Sequence, residues 1–281
     1  MRRPVSEYPI KTSSALNASA SSTINLQKNV HNDGFEYETV NVLGVSIALI
    51  EQDEIISFIQ KGIKEHRKGW ITGINGQALN LAYESLWLKD FYHHAILNCS
   101  EGFGVVIAAF LSGVKIPKRK VWAEWAYELL QMLEKNDYSL FLLGGTDDVG
   151  KKAVDNLHTL YPKLRITGQL NGYFDVNQND TVIKSINQKK PDVVFVALGM
   201  PKQEEWIYRN IDKLNAAIFF PVGALLDYIS GKKKRCPRWM STMGIEWIYR
   251  LLTEPHKVWR RYLLGNPRLV YRALRARFRG Y

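Results

Sequence analysis

Glycines and small polar residues recur directly after short apolar runs of the sequence, where they could bind a ligand. Glycine lets the backbone approach a ligand closely, and the free N–H groups at the start of a following helix can bind phosphate. The five junctions of this kind are Asn75-Gly76, Ser100-Glu101-Gly102-Phe103-Gly104, Gly144-Gly145-Thr146, Gly199-Met200-Pro201-Lys202-Gln203 and Val222-Gly223. Their repetition predicts one ligand site built from several loops.

The Gly144-Gly145 pair lies between a predicted strand and a predicted helix, in FLLGGTDDVGKKAVDNL. A helix start at this point could hold a diphosphate. The spacing is equally compatible with a structural tight turn. It matches neither the G-x-G-x-x-G dinucleotide fingerprint nor the G-x-x-x-x-G-K-[ST] phosphate loop.

The segment VFVALGMPKQEEWI combines a turn at Gly199, a helix-starting proline at Pro201 and an amide at Gln203. The Gln203 amide could read a sugar hydroxyl or the edge of a uracil base. Glu204 and Glu205 follow in the first helical turn, where acidic residues favour the helix dipole. We therefore interpret these two glutamates as structural.

The elements that position these residues alternate between strand and helix, which predicts an α/β fold with a doubly wound, mainly parallel, Rossmann-like sheet. Predicted strands are 40–47, 70–74, 95–99, 140–143, 165–168, 193–198 and 217–221. Predicted helices are 54–65, 77–86, 121–133, 150–160, 181–188 and 202–214. In such sheets ligands bind at the carboxyl ends of the strands, so the five junctions should meet at one edge.

The net charge of +11 is concentrated in residues 232–281, which hold 14 Lys and Arg against two acidic residues. We predict a basic helical C-terminal appendage there, after an α/β core of residues 35–231. Its helices are predicted at 245–264 and 268–279, separated by Gly265-Asn266-Pro267. In the second helix arginines 268, 272, 275 and 279 share one face, and Val270, Leu274 and Phe278 share another. This pattern favours attachment to an anionic membrane surface over a merely solvated face.

Residues 1–34 are rich in Ser and Asn and lack the apolar segment of a secretory signal, so we expect a disordered tail. No apolar run of about 20 residues is present to cross a bilayer. The two cysteines, Cys99 and Cys236, lack metal-ligand spacing. We therefore expect a cytoplasmic protein, peripheral on the inner face of a membrane, with no metal site and no cofactor.

Several segments, in order along residues 40–262, carry a resemblance to a known family. They are Asn75 after its strand, EGFGVV at 101–106, LLGG at 142–145, YP at 161–162, GYF at 172–174, ALGMPKQEEWI at 197–207, GALLDYISGKKKRCPRWM at 223–240 and GIEWIYRLLTEPHKVWRRYL at 244–263. The chain thus resembles the WecG/TagA/CpsF family of bacterial glycosyltransferases, glycosyltransferase family 26.

The resemblance implies an inverting, metal-independent transfer of a hexose or N-acetylhexosamine-type sugar from a UDP-sugar donor. The implied acceptor is an undecaprenyl-diphosphate-linked saccharide of a cell-surface polysaccharide such as exopolysaccharide, capsule or teichoic acid. The family's presumed base is an aspartate in a D-G-x-G motif, and Glu101 stands at that position here. An acid at Glu101 could alternatively stabilise the start of the following helix.

The resemblance also implies substrate-binding residues. Those near the strand ends are Thr72, Asn75, Gly102, Arg119, Gly144, Gly145, Gly199 and Gln203, with Thr72 placed one residue further from Asn75 than in the family's Thr-x-Asn. Those in the C-terminal appendage of residues 232–281, called the basic segment below, are Arg235, Arg250, Lys257, Arg260 and Arg261. Lysine replaces the family's arginine at 257 and keeps a charge without the bidentate fork.

Three other readings stay open from the residues alone. A nucleic-acid-binding protein would explain the basic segment but not the glycine at each strand exit, so we expect no nucleic-acid partner. A nicotinamide-dependent oxidoreductase would explain the fold but lacks its fingerprint. A family member without activity could act as an assembly partner, and homo-oligomers are possible.

Overall fold

The computed structural model describes residues 26–30, 36–114, 116 and 122–279. Two sheets are present in these ranges. The first is a three-stranded antiparallel meander, with β1 (Leu26–Val30) on β2 (Glu36–Val42) and β2 on β3 (Val45–Ala48). β1 lies within the stretch 1–34 expected to be a disordered tail, and the rest of that stretch lies outside the described residues.

The prediction of one strand over residues 40–47 is wrong, because the chain reverses in its middle. Leu43 and Gly44 both have positive φ, 54° and 87°, as in the tight turn that suits the twist of a hairpin. The side-chain oxygen of Asn41 accepts the Gly44 N–H at 2.8 Å and stabilises the turn. An Asn-Gly or Asp-Gly pair would have signalled this hairpin, whereas Leu-Gly does not.

The second sheet has six strands, all parallel, in the order β5-β4-β9-β8-β6-β7. Its strands are β4 (Gly69–Ile74), β5 (Leu97–Ser100), β6 (Ser139–Gly144), β7 (Arg165–Leu170), β8 (Val193–Ala197) and β9 (Ile218–Pro221). The predicted α/β fold with a doubly wound, Rossmann-like sheet is confirmed.

Helices connect the strands and cover both faces of this sheet. They are α1 (Gln52–Lys64), α2 (Gly76–Glu84), α3 (Leu86–His93), α4 (Phe103–Leu111), α5 (Trp122–Lys135), α6 (Asp147–Leu160), α7 (Asn179–Lys189) and α8 (Lys202–Asn210). α3 and α4 were not predicted with bounds. The sequence of α4, FGVVIAAFL, is apolar throughout and so gives no amphipathic period.

Strand residues alternate between two apolar cores, one on each face of the sheet. In β6, Leu140 and Leu142 face the core built with α1, α5 and α6, whereas Phe141 and Leu143 face the core built with α2, α3, α4 and α8. All four side chains are at most 2% exposed. Burial on both faces explains why the strands read as continuous apolar runs.

The basic segment is helical but is not divided as predicted. After α9 (Leu225–Ile229) and α10 (Arg238–Thr242), α11 (Glu246–Thr253) ends at Glu254, and α12 (Pro255–Trp259) continues through a π-helical turn (Arg260–Leu264) into α13 (Gly265–Arg279). The predicted break at residues 265–267 is wrong. The wider π turn comes just before Pro267, which lacks a backbone N–H and therefore cannot complete the regular hydrogen-bond pattern of an α-helix.

α13 packs on α2 and α4 of the core. Leu269 and Ala273 are 3% and 0% exposed, so they form part of the core on that side of the sheet. Arg272 donates to the backbone oxygen of Asn80 at 3.0 Å and pairs with Glu84. Because of these contacts, removal of the segment would uncover apolar core. Across the part of the chain that the structure describes, no helix has both the length and the apolar character needed to cross a bilayer.

Candidate active site

A cleft of about 610 Å³ opens at the carboxyl ends of the parallel strands and is closed on one side by the basic segment. From the strand ends and the following loops it is lined by Gly73, Asn75, Gln77, Glu101, Gly102, Gly145, Gly172, Tyr173, residues 197–200, Lys202, Gln203, Glu204 and residues 221–228. From the basic segment it is lined by Lys233, Glu246, Arg250, Lys257, Val258 and Arg261. Its size suits a nucleotide-sized ligand.

Glu101 lies between β5 and α4, and its backbone N–H donates to the carbonyl of Ile74 at 2.7 Å. Gly102 follows with a φ of 77°, a left-handed conformation that turns the chain into α4. Burial raises the pKa of Glu101 to about 7, against the opposing effects of the Arg261 charge and of a hydrogen bond from Asn75. A carboxyl group with this pKa can gain or lose a proton near neutral pH.

Asn75 has two roles at the end of β4. Its side-chain oxygen accepts the N–H groups of Gln77 at 3.0 Å and Ala78 at 3.1 Å, which caps the start of α2. Since that oxygen is occupied, the side-chain NH₂ is the group left to donate to Glu101. Asn75 was predicted to bind substrate, and its direct contact is with the candidate base.

Thr72 is placed differently from its prediction as a substrate-binding residue. Its side chain is 1% exposed and its hydroxyl donates to the side-chain oxygen of Asn98 at 2.7 Å, inside the core. Successive residues of a strand point to opposite faces, so Thr72 points away while Gly73 lines the cleft. Gly73 lies two residues before Asn75, which is the spacing of the Thr-x-Asn pattern.

The two glycines of the Gly144-Gly145 pair differ in role. A side chain on Gly144 would place its Cβ 2.4 Å from the carbonyl oxygen of Ala197, so this glycine permits close packing of β6 on β8. Gly145 lines the cleft and accepts the Gly172 N–H at 2.8 Å. Of the pair, Gly145 alone contributes to the wall of the cleft, whereas Gly144 is structural.

α8 begins at the cleft after Gly199, which lines the cleft with a φ of 77°. Gln203 lines the cleft close to the loop after β9, and its binding of substrate stays a prediction. The two glutamates that follow are not alike. Glu205 is at the surface and pairs with Arg209, as expected of a structural helix-start residue, but Glu204 is 2% exposed and also lines the cleft.

Positive charge enters the cleft mainly from the basic segment. Arg250, Lys257 and Arg261, which were predicted to bind substrate, line it, and Lys202 and Lys233 line it without having been predicted. Burial lowers the pKa of Arg261, and the neighbouring Arg250 charge acts in the same direction. Two crowded guanidinium groups favour binding of an anion such as a diphosphate.

Two predicted residues of the basic segment do not line the cleft, and a third predicted residue cannot be located relative to it because it lies outside the described ranges. Arg260 lies over the ring of the neighbouring Trp259, with 5.2 Å from its guanidinium carbon to the ring centre. Arg235 is likewise absent from the cleft wall. Arg119 lies outside the described residues.

The cleft wall thus carries five cations against four acidic residues, and one of those acidic residues, Glu204, is fully buried. Lys202 and Glu204 adjoin predicted residues, while Lys233 and Glu246 carried no signal beyond belonging to the basic segment. Among the residues that the structure describes, no cluster of three His, Cys, Asp or Glu could hold a metal ion. A proton acceptor beside a diphosphate-sized patch of cations can support displacement of a phosphate leaving group by a hydroxyl.

Comparison with known proteins identifies relatives over most of the chain. The family model described as "Glycosyl transferase WecG/TagA/CpsF family" matches residues 40–281. A protein of Staphylococcus aureus strain MRSA252 is 32% identical over 208 residues, covering 74% of this chain and 80% of the relative. A protein of Bacillus subtilis strain 168 is 34% identical over 181 residues, covering 63% and 70%. Both are named N-acetylglucosaminyldiphosphoundecaprenol N-acetyl-beta-D-mannosaminyltransferase.

Proposed function

The chain belongs to the WecG/TagA/CpsF family of glycosyl transferases, and on that premise we propose that it transfers a sugar from a UDP-sugar donor to a lipid-linked acceptor with inversion of configuration at the anomeric carbon. The donor sugar is a hexose or N-acetylhexosamine type, and the acceptor is an undecaprenyl-diphosphate-linked saccharide of a cell-surface polysaccharide. The observation that carries this proposal is the position of Glu101 in one cleft with Arg250 and Arg261.

Glu101 acts as the general base. The acceptor hydroxyl oxygen attacks the anomeric carbon of the donor, and its proton passes to the Glu101 carboxylate. The bond between that carbon and the phosphate oxygen breaks, and UDP leaves with the bonding electron pair. A base with a pKa of about 7 is ionised in about half of the molecules at neutral pH, which is suited to this transfer.

Arg250 and Arg261 stabilise the negative charge that develops on the departing diphosphate. Both guanidinium groups are largely buried, so their interaction with an anion is weakly screened. The side-chain Nε of Arg250 is buried without a hydrogen-bond partner among the described residues, which leaves one donor for a ligand. We infer that these cations take the place of a metal ion in neutralising the diphosphate.

The acceptor lipid reaches the cleft from a membrane surface. The names of the two relatives specify N-acetylglucosaminyldiphosphoundecaprenol, a lipid-linked saccharide, and we extend that acceptor class to this chain. Exposed apolar side chains lie on α4 directly after Glu101 and on α13 beside it: Phe103, Ile107, Phe110, Val270, Leu274 and Phe278. Below we refer to these six residues as the apolar face.

We propose a peripheral location on the cytoplasmic side of the membrane, and the aromatic side chains of the basic segment support the membrane contact. Exposed tryptophans at 239, 247 and 259 accompany the cations of the basic segment, a combination typical of the bilayer interface. α13 keeps Arg272 against the core through Glu84, so its cations do not all face outward. The apolar face, rather than the arginine face, is therefore the surface that meets the lipid.

UDP release from a panel of UDP-sugars, with a short-chain prenyl-diphosphate-linked N-acetylglucosamine as acceptor, tests the proposal. We expect turnover by the wild type, a loss of roughly 100- to 10,000-fold in Glu101→Gln, and retained activity in Glu101→Asp. Glu205→Gln, a surface change one residue beyond the cleft wall, is the control and should match the wild type. No turnover with any donor would contradict the proposal and favour the assembly-partner reading.

A further inference from the structure

Glu204 is a buried acid in the cleft that the proposed chemistry does not use. It lies in the first turn of α8, lines the cleft and is 2% exposed. Burial raises its pKa to about 7, opposed by a hydrogen bond from Gln203. Ionisable groups are seldom buried this completely without a partner that requires them.

The partner of Glu204 is the neighbouring amide. The side-chain Nε2 of Gln203 donates to Glu204 Oε1 at 2.9 Å. The backbone N–H of Gly223 donates to Gln203 Oε1 at 2.9 Å. These two bonds form a chain from Glu204 to the loop after β9, and all three residues line the cleft.

The two bonds together determine which way the Gln203 amide points. The two ends of an amide are almost equal in shape, and only their hydrogen-bond partners distinguish them. Gly223 offers an N–H and so selects the amide oxygen. Glu204 offers a carboxylate oxygen and so selects the amide nitrogen. With an apolar residue at position 204, only the Gly223 N–H would remain to orient the Gln203 amide.

The second oxygen of Glu204 has a separate significance. Oε2 is buried and has no hydrogen-bond partner among the described residues. Leaving a buried polar atom unpaired costs about 1–3 kcal/mol. An apolar side chain could pack α8 without this cost. The presence of a carboxyl group at this position therefore favours a role in the cleft.

We propose that Glu204 is a positioning residue for the donor, which holds the Gln203 amide in the orientation that reads the nucleotide-sugar. This inference rests on the proposed function, because it takes the ligand of Gln203 to be a UDP-sugar. Glu204 acts through Gln203 and does not itself touch the reacting atoms.

A double-mutant cycle on donor binding tests the inference without requiring turnover. Dissociation constants for UDP-N-acetylglucosamine and UDP-N-acetylmannosamine are measured by calorimetry for the wild type, Gln203→Ala, Glu204→Met and the double variant. We expect each single variant to bind the preferred donor roughly tenfold more weakly, and the double variant to be no weaker than the weaker single variant. If the double variant instead weakens binding by the product of the two single effects, the inference is overturned.

Three further variants separate positioning from a general loss of structure. Glu204→Gln keeps an oxygen that can accept from Gln203 and should restore most of the binding, whereas failure of this rescue would count against the inference. Glu204→Asp withdraws the carboxylate from Gln203 and replaces Glu204→Met in the cycle if the latter does not fold. Glu205→Gln is the matched control and should bind the donor like the wild type.

The outcome also distinguishes this inference from the proposed function. Wild-type binding of a UDP-sugar with multiplying variant effects would refute the role of Glu204 alone. Absence of binding of either UDP-sugar by the wild type would refute both.

Discussion

The side-chain NH₂ of Asn75 hydrogen-bonds the carboxyl group of Glu101, while the oxygen of the same amide caps α2. The two residues follow neighbouring parallel strands, β4 and β5, whose ends are joined by the bond from the Glu101 N–H to Ile74. The Asn75 amide therefore both caps α2 and lowers the pKa of Glu101, the candidate base.

Loss of the Asn75 amide should move the pH dependence of the reaction upward. The hydrogen bond lowers the pKa of Glu101, so Asn75→Ser, which keeps a capping oxygen, should raise that pKa above about 7. A base acts when ionised, so the rising limb of kcat/KM against pH should shift to higher pH, with the activity at high pH retained. Asn75→Ala should show the same shift and also lose about 1 kcal/mol of stability from the missing cap. An unchanged pH profile in both variants would contradict the assigned bond.

The contribution of Glu204 to folding stability should fall as the pH rises between its unfolded-state and its native-state pKa. The pKa of Glu204 is raised from 4.5 to about 7, so between these values the native state binds more protons than the unfolded state. Stability from this group is fully present below pH 4.5 and is lost as the pH rises toward 7. Glu204→Gln should therefore gain up to about 3 kcal/mol relative to the wild type between pH 4.5 and pH 8, measured by urea unfolding. An equal difference at both pH values would show that Glu204 has an ordinary pKa.

Adjacent arginines of the π-helical turn should differ sharply in importance. Arg261 lines the cleft near Glu101, whereas Arg260 lies over Trp259 outside the cleft wall. Arg261→Gln should lower kcat/KM by about 100-fold or more and weaken UDP binding, because a group that stabilises the leaving diphosphate is removed. Arg260→Gln, assayed with the short-chain acceptor, should stay within about twofold of the wild type. Equal losses in the two variants would place the diphosphate elsewhere.

The apolar face should govern binding to membranes. Phe110 is 66% exposed on α4, and its burial in a bilayer interface is worth about 1.5–3 kcal/mol. Phe110→Glu should therefore reduce partition onto vesicles of phosphatidylcholine and phosphatidylglycerol by about tenfold or more, measured by co-sedimentation. Leu160→Glu is the control, because Leu160 is similarly exposed but lies at the end of α6. UDP binding should be unchanged in both variants, and equal partition of the two would refute the assignment.

The sequence was sufficient to place the cleft, because parallel strands bring their carboxyl ends to one edge whatever the details of the helices. Glycine and polar residues after the strands then pointed to Glu101, Gly145 and Gln203, which all line that cleft. The hairpin at Leu43-Gly44 escaped prediction because its turn lacks the usual Asn or Asp. Thr72 was misplaced because one residue along a strand reverses the direction of the side chain.

The role of Glu204 could not be read from the sequence, since acidic residues in a first helical turn are usually exposed. What distinguishes Glu204 from Glu205 is its burial in the cleft beside Gln203, and the loop after β9 reaches Gln203 from 20 residues away. The docking of α13 was hidden for a similar reason, because Leu269 and Ala273 form only a narrow stripe among arginines. A truncation after Ser230 would remove α13 and is therefore expected to expose the apolar core around Leu269 and Ala273.

The order of the chain means that the candidate site exists only late in protein synthesis. Glu101 leaves the ribosome 160 residues before Arg261, and the helix that holds Arg261 against the core follows later still. A nascent chain thus carries Glu101 and α4 long before Arg250, Arg261 and α13. The folding of α13 onto α2 and α4 is in this sense the last step in assembling the candidate site.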